Sequence, residues 1–377
     1  MRIAANLLAL GPAAGGVGRY ARELYAEMLS VDPGVELELF APADAPEWVR
    51  ELAGADRARL TRLRVRSNRP QELYPAQLLA LGDLAERRRC DLVHGPATFV
   101  PWTGRTPAVS TIHDVMWIEH PALSGFGRGS AAVWWALTID AARRARTVLA
   151  VSHAAADEIH RLVRVPHHKL HVVLNGAGTS SRILPTSPSE IRRRFDLGDA
   201  RVVLSVGQKR PHKNLETVIR ALARLDDDVL LVAPGADYGH GDHLLDLAGE
   251  LGVRERVRLP AWVSDADLEG LYAVASVAAQ LSLLEGFGLP AIEAMQRGIP
   301  AVVSDTPALV EAAGGAAAVV PATDHVAAAV ALRRVLEDDR EAAALRERGG
   351  RRVGELTWRR TADETLAVFR RTLSATR

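Results

Sequence analysis

The 377-residue chain is poor in cysteine, lysine, aromatic residues and long apolar runs. Its single cysteine, Cys90, excludes a disulfide framework and any metal site made only of cysteines. No uninterrupted apolar run approaches the ~20 residues that a membrane-spanning helix needs. The 47 basic and 46 acidic side chains leave a net charge of +1, so we predict no nucleic-acid partner, which would require a basic excess.

Lysine is scarce because nearly all basic residues are arginines; only Lys169, Lys209 and Lys213 are lysines. The hydrophobic fraction of 48% is typical of a globular chain, and at ~150 residues per domain the length favours two domains. The apolar start, Ile3–Leu10, is too short and too weakly charged for a signal peptide. We therefore expect a cytoplasmic location, with weak peripheral contact with a membrane left open.

Short apolar runs alternate with amphipathic stretches, which is typical of βαβ units around a parallel sheet. The runs in the first half are Ile3–Leu10, Val35–Phe40, Asp91–His94, Ala108–His113, Thr147–Ser152 and His171–Leu174. Those in the second half are Val202–Val206, Val229–Val232, Val257–Leu259, Val277–Leu281, Ala301–Ser304 and Ala317–Val320. We predict an α/β protein with two doubly wound, Rossmann-like parallel-sheet domains and a ligand at the carboxyl ends of the strands.

The alternation stops at Gly176–Asp199, a stretch rich in Gly, Pro, Ser and Thr that is typical of a linker. We therefore predict a first domain over residues 1–178, a linker over 179–199 and a second domain over 200–357. The remaining segment, 358–377, has the apolar periodicity of an amphipathic helix, which we expect to return to the first domain.

The segment Glu285–Glu293 (EGFGLPAIE) follows an apolar run and carries several candidate ligand groups. Pro290 suits the first turn of a helix, where free N–H groups bind anions such as a diphosphate. Gly288 allows the backbone to approach a ligand closely. Glu285 and Glu293 are good acceptors for the vicinal hydroxyls of a sugar or a ribose. A ligand-free helix start with favourable acidic residues would explain the same pattern.

A second candidate segment is the basic stretch Gly207–Leu215 (GQKRPHKNL). Gly207 ends an apolar run, Pro211 stiffens the turn, and Lys213 precedes a helix. Two positive charges at a strand-to-helix turn suit a departing nucleoside diphosphate, whose negative charge grows in the transition state. A solvated basic loop is the simpler alternative.

Together these motifs resemble those of retaining glycosyltransferases with the GT-B fold, especially family 4. Glu285–Glu293 resembles the E-x7-E signature of that family, and the likeness extends over nearly the whole chain. Among family members, the chain most resembles bacterial polysaccharide mannosyltransferases. The other matching segments are Gly15–Tyr20 (GGVGRY), Thr111–Asp114 (TIHD), Val151–His153 (VSH), Gly207–Leu215, Leu259–Ala273 and Ser304–Ala313.

The resemblance implies two domains that face each other across a cleft and a nucleotide-sugar donor. It implies that Glu293 holds the nucleotide ribose, that Glu285 contacts donor-sugar hydroxyls and that His113 lies near the reacting sugar. Lys213 and a neighbouring cation would neutralise the leaving diphosphate. Further contacts with the donor are expected from Gly16, Gly18, Gly207, Lys209, Phe287, Gly288 and Leu289.

One departure from the family concerns the second cation of the diphosphate site. Many members carry arginine directly after the glycine, but this chain has Gln208 there. Lys209 or Arg210 must then supply the charge, and we favour Arg210 because its guanidinium is a planar fork.

The implied reaction moves a hexose to an acceptor hydroxyl with retention, by a front-face mechanism in which the donor phosphate accepts the acceptor proton. We predict no required cofactor and no required metal. The predicted acceptor is a glycan or lipid-linked saccharide; the alternative is a small natural product such as an aminocyclitol or amino sugar. Candidate acceptor contacts, each explained equally well by packing or simple exposure, are Arg19, Tyr74, Asp114, Trp117 and Glu119.

Two rival functions follow from other features. Gly16–Ala21 matches the G-x-G-x-x-A pattern of NAD-binding proteins, and Glu38 follows at a suitable distance, but a dehydrogenase leaves the segments at 207–215 and 285–293 unexplained. A non-catalytic sensor of sugar nucleotides is disfavoured by the intact Glu285, Glu293 and Lys213.

Three sets of residues invite a metal interpretation. Asp265–Asp267 has the D-x-D form but precedes a helical run, so we interpret Ser264 and Asp265 as helix caps. The histidines at 167, 168 and 171, and His240 with His243, lie in polar stretches. We interpret both groups as solvated loops without a matching set of carboxylates.

Overall fold

The computed structural model describes residues 1–12, 14–124, 128–178 and 183–375. The chain divides into two compact units. The first comprises Met1–Ile118, Arg128–Gly176 and Leu356–Arg377, and the second comprises Glu119–Gly127 and Ala177–Glu355. Within the described ranges, no helix has the length and apolar character needed to cross a bilayer.

The first unit contains a seven-stranded sheet in the order β3-β2-β1-β4-β5-β6-β7, and all of its pairings are parallel. Its registers include Ala4 opposite both Glu38 and Val93. The strands are β1 (Arg2–Asn6), β2 (Glu36–Ala41), β3 (Ala58–Arg62), β4 (Leu92–Gly95), β5 (Ala108–Ile112), β6 (Thr147–Ala150) and β7 (Leu170–Val172).

The second unit contains a six-stranded sheet in the order β10-β9-β8-β11-β12-β13, again parallel throughout. The strand order of both sheets reverses next to the first strand, which is the Rossmann pattern, so the prediction of two Rossmann-like parallel-sheet domains is confirmed. The strands are β8 (Arg201–Leu204), β9 (Val229–Val232), β10 (Val257–Arg258), β11 (Ala275–Gln280), β12 (Ala301–Ser304) and β13 (Ala318–Val320).

Helices connect successive strands in both units, except that a helix-free loop joins β4 to β5. Those before residue 180 are α1 (Gly15–Val31), α2 (Glu47–Ala53), α3 (Pro70–Pro75), α4 (Leu81–Arg87), α5 (Met116–Glu119), α6 (Pro121–Ser124), α7 (Arg128–Arg144) and α8 (His153–Glu158). The later ones are α9 (Pro188–Arg194), α10 (Leu215–Leu222), α11 (Gly241–Glu250), α12 (Asp265–Val274), α13 (Leu289–Gln296), α14 (Pro307–Ala313), α15 (His325–Glu337), α16 (Asp339–Glu355) and α17 (Trp358–Ser374). Shorter turns are π-helical at Ala76–Ala80 and Ile159–Val163 and 3₁₀ at His167–Lys169, Pro211–Lys213 and Arg254–Arg256.

The strands form because runs of Val, Leu, Ile and Ala are buried on both faces of a parallel sheet. All four residues of β4, β6, β9 and β12 are buried. The core of the second unit continues from its strands into α10, α11 and α15, whose apolar faces cover the sheet. These sheets hold the loops at their carboxyl ends in fixed positions.

Two segments differ from a simple picture of domain, linker and domain. The stretch interpreted as a linker contains α9, whose start is capped by Ser187 accepting from Glu190 N at 3.3 Å. This part of the chain belongs to the second unit. The C-terminal helix α17 belongs to the first unit and packs against α1, burying Trp358, Leu366 and Phe369.

Candidate active site

The candidate site of the second unit lies at the point where the strand order of its sheet reverses. β8 and β11 are neighbours there, and each is followed by one of the two segments singled out from the sequence. Residues 205–213 follow β8 and will be called the basic loop; residues 281–288 follow β11 and will be called the acidic loop. Ligands of open α/β sheets bind at this kind of position.

An ion pair joins the two loops. Lys213 Nζ lies 2.6 Å from Glu285 Oε1, and both side chains are largely buried. The same oxygen accepts from Gln280 Nε2 at 3.1 Å and from Ser282 Oγ at 2.9 Å. Three donors therefore fix one oxygen of Glu285, and none of these three contacts uses Oε2.

The charges of this pair are set by their surroundings. Burial opposes ionisation of Glu285, but the nearby Lys213 ammonium and the Ser282 hydroxyl outweigh it and hold the pKa of the carboxyl below its ordinary value. The pKa of His212 is also lowered, to about 4, by burial and by Lys213. For a base this favours the uncharged form, so the imidazole is neutral at physiological pH. Its Nδ1 lies 3.1 Å from Leu123 O.

Lys209 is the most enclosed cation of the basic loop. Its side chain is 1% exposed and donates to Gly235 O at 2.5 Å and to Pro260 O at 2.9 Å. Burial lowers its pKa to about 8. The ammonium thus ties the basic loop to the loops after β9 and β10.

The backbones of two glycines meet beneath the basic loop. A Cβ added to Gly235, whose φ is +152°, would lie 1.9 Å from Gly207 O, so this position accepts only glycine. A Cβ added to Gly207 would meet only the Lys213 side chain, at an ordinary 3.6 Å. Gly235 is therefore required by the fold, whereas Gly207 leaves open backbone next to Lys213.

Arg210 lies beside an exposed aromatic ring. Its guanidinium carbon is 3.7 Å from the centroid of the Tyr238 ring, and its Nε donates to Gln208 Oε1 at 3.2 Å. A cation over an aromatic face is attracted to it and keeps its charge. Tyr238 belongs to the loop after β9.

The helix start predicted at Pro290 is found at α13. Gly288 precedes the helix with a φ of +97°, and an added Cβ would lie 2.3 Å from Leu309 Cδ2. Phe287 is buried, and Leu289 is the first helical residue. Glu293, one turn into the helix, is 4% exposed and accepts from Tyr272 OH through Oε2 at 3.0 Å.

Other polar side chains support these loops and were not singled out from the sequence. Asn214 donates to Leu281 O at 2.8 Å and to Ala322 O at 2.7 Å, which ties the basic loop to the acidic loop and to the loop after β13. Thr306 Oγ1 donates to Ser282 O at 2.7 Å. Polar residues directly after apolar strands, such as Ser282, are the signal that could have found them.

In the first unit, His113 directly follows β5. Its Nε2 lies 2.8 Å from Pro96 O, and because a carbonyl can only accept, Nε2 carries the proton. The ring makes an edge contact with Tyr20, with centroids 4.8 Å apart. Desolvation lowers the pKa of His113 to about 4, despite the opposing contact with Pro96, so the imidazole is neutral at physiological pH.

A buried chain of hydrogen bonds starts at Tyr20, whose ring contacts His113. Tyr20 OH is 3.1 Å from Thr111 Oγ1, which is 2.8 Å from His94 Nε2, and His94 Nδ1 is 2.8 Å from Tyr25 OH. Burial, with a smaller contribution from His113, lowers the pKa of His94 to about 3. This network is neutral, in contrast to the ion pair of the second unit.

The glycine-rich segment occupies the first turn of α1. Gly16 is exposed, whereas Gly18 is buried and an added Cβ would lie 2.8 Å from Ala14 Cβ. Arg19, in the same turn, is partly buried. Glu38 is buried in the middle of β2, three residues before the strand ends, whereas the acid of an NAD site stands at the strand's end.

The remaining acceptor candidates lie in different surroundings. Tyr74 packs edge-on against Phe99 and Trp134, with centroids 5.9 and 6.5 Å away. Asp114 is partly buried, and Trp117 is buried in α5. Glu119 is exposed and belongs to the second unit. Their roles toward an acceptor stay predictions.

The acidic segment Asp265–Asp267 and the pair His240 and His243 have different surroundings. Ser264 caps α12 by accepting from Asp267 N at 3.1 Å, and Asp267 pairs with Arg194 at 2.6 Å, so this acidic pattern is structural. The interpretation of His240 and His243 as lacking a carboxylate is wrong, because Glu216 of α10 lies with them. Sequence spacing hid this contact, since the carboxylate comes from a preceding helix.

Comparison with protein families gives two matches that together span most of the chain. The family model described as "Glycosyltransferase Family 4" matches residues 14–181, and the one described as "Glycosyl transferases group 1" matches residues 188–352. The first match covers most of the sheet with His113, and the second covers both loops that hold the ion pair.

Full-length relatives and structures agree with these matches. D-inositol 3-phosphate glycosyltransferase of Salinispora tropica is 31% identical, over 94% of this chain and 81% of that protein. O-antigen chain mannosyltransferase B of Escherichia coli is 27% identical, over 94% and 96%. Sucrose-phosphate synthase from Thermosynechococcus elongatus superposes with a TM-score of 0.79 at 20% identity over 100% of both chains. Anabaena HepE in complex with UDP and glucose gives 0.74 at 19% identity, over 98% and 99%.

Proposed function

Because the chain belongs to the group 1 glycosyltransferases and has the GT-B fold, we propose that it transfers a hexose from a nucleotide-diphosphate sugar to an acceptor hydroxyl with retention of configuration. The observation that carries the proposal is the pair Lys213–Glu285, which joins the basic and acidic loops where the strand order reverses. A cytoplasmic location, expected from the sequence, belongs to the same proposal.

Lys213 is the proposed electrostatic partner of the leaving diphosphate. Negative charge grows on that group as the glycosidic bond breaks, and a fixed cation in a partly dry site stabilises it. Arg210 is the proposed second cation, since Lys209 is engaged with two backbone carbonyls. The start of α13 adds N–H groups that favour an anion.

Glu285 is the proposed ligand of the donor sugar. Its ionised carboxylate already holds three donors on Oε1, which leaves Oε2 to accept from sugar hydroxyls. The lysine pairing also reduces its strength as a nucleophile. This supports a front-face reaction, in which the donor phosphate accepts the acceptor proton without a covalent glycosyl-enzyme.

Glu293 and Gly207 are the proposed contacts for the nucleotide. Tyr272 orients Glu293 by donating to Oε2, and the oriented carboxylate is the proposed acceptor for the ribose hydroxyls. Gly207 has no side chain beside Lys213, which allows the diphosphate to reach the backbone. The HepE complexes with UDP support a uridine donor as the first to be tried.

The acceptor is proposed to be a saccharide of a growing glycan or a lipid-linked saccharide, as for the relative named for an O-antigen chain. A small acceptor of the cyclitol or amino-sugar class is the second candidate. It is favoured by the relative that is named for D-inositol 3-phosphate and is 31% identical to this chain.

The test incubates the full chain with UDP-, GDP- and dTDP-hexoses and with a panel of saccharide and cyclitol acceptors, followed by mass spectrometry and NMR of the anomeric centre. We expect one nucleotide class to give a product of retained configuration. Glu285→Gln should abolish transfer, while Glu337→Gln, an exposed residue of α15, should leave it unchanged. An inverted product, or stabilisation by NAD and by no nucleoside diphosphate, would overturn the proposal.

A further inference from the structure

Three side chains outside the proposed donor contacts converge on one point of the second unit. Glu216 lies in the first turn of α10, His240 immediately precedes α11, and His243 lies in the first turn of α11. His240 Nε2 is 3.5 Å and His243 Nε2 is 3.1 Å from Glu216 Oε1. All three potential ligand atoms lie within 4.8 Å of one another.

The two distances from Glu216 Oε1 match those between ligands of a metal centre. Zn²⁺ binds histidine nitrogen and carboxylate oxygen at about 2.0–2.1 Å, which places tetrahedral ligand atoms ~3.3 Å apart. The two imidazole rings are tilted by 32° with centroids 5.0 Å apart, so they approach the same point without stacking. Two imidazoles and one carboxylate are a zinc ligand set that leaves a fourth position for water.

Burial and access also fit. The His240 side chain is 17% exposed and Glu216 is 38% exposed, whereas His243 is 56% exposed. His240 is thus largely enclosed by the fold, Glu216 is partly exposed, and His243 can be reached from solvent. Within the described ranges this is the only such triad; the stacked pair His160 and His167, with centroids 3.9 Å apart, has no third ligand.

We propose that Glu216, His240 and His243 form a binding site for one divalent transition-metal ion, with Zn²⁺ as the best fit and one coordination position left to solvent. The ligands come from α10 and from the start of α11 with the residue before it, so the ion joins two segments that are separate in sequence. A simple hydrogen-bonded cluster of His243 with Glu216 is the alternative without a metal.

The proposed metal ligands are close in sequence to the basic loop and to the residues that contact it. Glu216 is two residues after Asn214, which directly follows the basic loop and donates to Leu281 O of the acidic loop. His240 is two residues after Tyr238, whose ring contacts the Arg210 guanidinium. Gly235, in the same loop, accepts a hydrogen bond from Lys209. A bound ion would therefore stiffen the segments that carry the cations of the proposed donor site, a consequence that rests on the proposed function.

The decisive experiment is direct binding of Co²⁺ and Zn²⁺ to the untagged, chelator-treated full chain, without nucleotide. We expect one equivalent of Co²⁺ with the visible absorption of a tetrahedral nitrogen–oxygen site, displaced by Zn²⁺, and a rise of Tm with Zn²⁺. His240→Ala and Glu216→Gln should each weaken binding at least tenfold and remove the Tm rise.

His243→Ala is the variant least able to harm the fold, because this side chain is the most exposed of the three. His167→Ala is the matched control, since it also breaks a histidine pair, and it should leave binding unchanged. The proposal is overturned if His243→Ala binds as tightly as the native chain, if His167→Ala weakens binding equally, or if no single equivalent binds. None of these readouts depends on sugar transfer.

Discussion

The two units treat the polar groups at the ends of their central strands in opposite ways. In the second unit, Lys213 and Glu285 form an ion pair at 2.6 Å. In the first unit, His113 and His94 are kept neutral, with their pKa values lowered to about 4 and about 3 by burial. The hydroxyls of Tyr20, Thr111 and Tyr25 complete this neutral network.

The difference matches the charges that would develop in the proposed reaction. The leaving diphosphate gains negative charge, so fixed cations stabilise it. The sugar ring becomes positive in an oxocarbenium-like transition state, and a protonated histidine beside it would raise the barrier. For the role toward the sugar that the family resemblance predicts for His113, a neutral ring whose Nε2 donates to Pro96 O would offer Nδ1 as the acceptor.

Removing the cation of the second unit gives the largest expected effect. Lys213→Met should lower kcat for sugar transfer by ~100- to 1000-fold, because a group that stabilises the transition state is lost. It should also destabilise the chain by ~3 kcal/mol, since Glu285 keeps a buried charge without its partner. Steady-state kinetics and urea unfolding measure the two effects.

Two controls separate chemistry from stability in that experiment. The double variant Lys213→Met with Glu285→Gln should regain stability but not turnover. Lys169→Met, which removes the lysine that donates to Arg143 O in the first unit, should retain turnover. If the double variant recovers both properties, the roles proposed for Lys213 and for Glu285 in transfer are both wrong.

The two glycines of the second unit form a matched pair for the next effect. Gly235→Ala should disrupt the basic loop and lower Tm, because its Cβ would lie 1.9 Å from Gly207 O. Gly207→Ala should leave Tm within about 2 °C, because its Cβ would make only an ordinary contact with the Lys213 side chain at 3.6 Å. It should weaken nucleoside-diphosphate binding about tenfold, because the Cβ would stand in the way of the proposed ligand. Calorimetric titration with UDP and GDP measures the affinity. Unchanged affinity in Gly207→Ala would show that the ligand does not approach this backbone.

The neutral network predicts a pH dependence of stability. The histidines are neutral in the fold but have a pKa near 6.5 when unfolded, so the unfolded chain takes up protons first as the pH falls. The free energy of unfolding should therefore decrease from about pH 6.5 down to about pH 4, by ~1.4 kcal/mol per pH unit for each such histidine.

The Glu285–Lys213 pair responds in a different range. The pKa of Glu285 is lowered, so its stabilisation is complete above the ordinary carboxyl value and is lost only at lower pH. Urea unfolding at pH 7, 6 and 5 isolates the histidines, and His94→Gln should make the slope shallower by one proton. The exposed His168→Gln is the control. An equal slope in the His94 and His168 variants would contradict the assignment.

The smallest expected effect tests the position of Tyr20. Tyr20→Phe removes the hydroxyl next to Thr111 but keeps the ring against His113, so it should destabilise the chain by ~1 kcal/mol with kcat nearly unchanged. Tyr20→Leu also removes the ring contact and should lower kcat further. Equal kcat values for the two variants would mean that the ring does not position His113.

Local patterns in the sequence were enough to find the basic and acidic loops, because each lies in one continuous segment after an apolar strand. They were not enough for the supports of Lys209, which come from Gly235 and Pro260, 26 and 51 residues away. The contact of Glu216 with His243 spans 27 residues. Such contacts depend on which strands become neighbours in the sheet, and the spacing of residues along the sequence does not determine the strand order.

Two elements escaped prediction for more local reasons. The strand β3 (ARLTR) is an edge strand whose polar residues, two arginines and a threonine out of five, make it look like a loop. The helix α9 was hidden in a segment rich in Ser and Pro, although Ser187 and Glu190 have the spacing of a capping box. In both cases the polar composition obscured the periodic spacing of apolar residues by which a strand or a helix is recognised.

The return of α17 to the first unit affects how the chain is made on the ribosome. Gly176 lies so close to the start of this helix that an added Cβ would be 2.3 Å from Trp358 N, and the Phe369 ring lies 5.0 Å from His94. All of Ala177–Glu355 is synthesised before this helix. At a translation rate of about 5–20 residues per second, roughly ten to forty seconds pass between synthesis of the main part of the first unit and synthesis of its last helix. During that interval α1 is uncovered, and the newborn chain is open to chaperones and proteases.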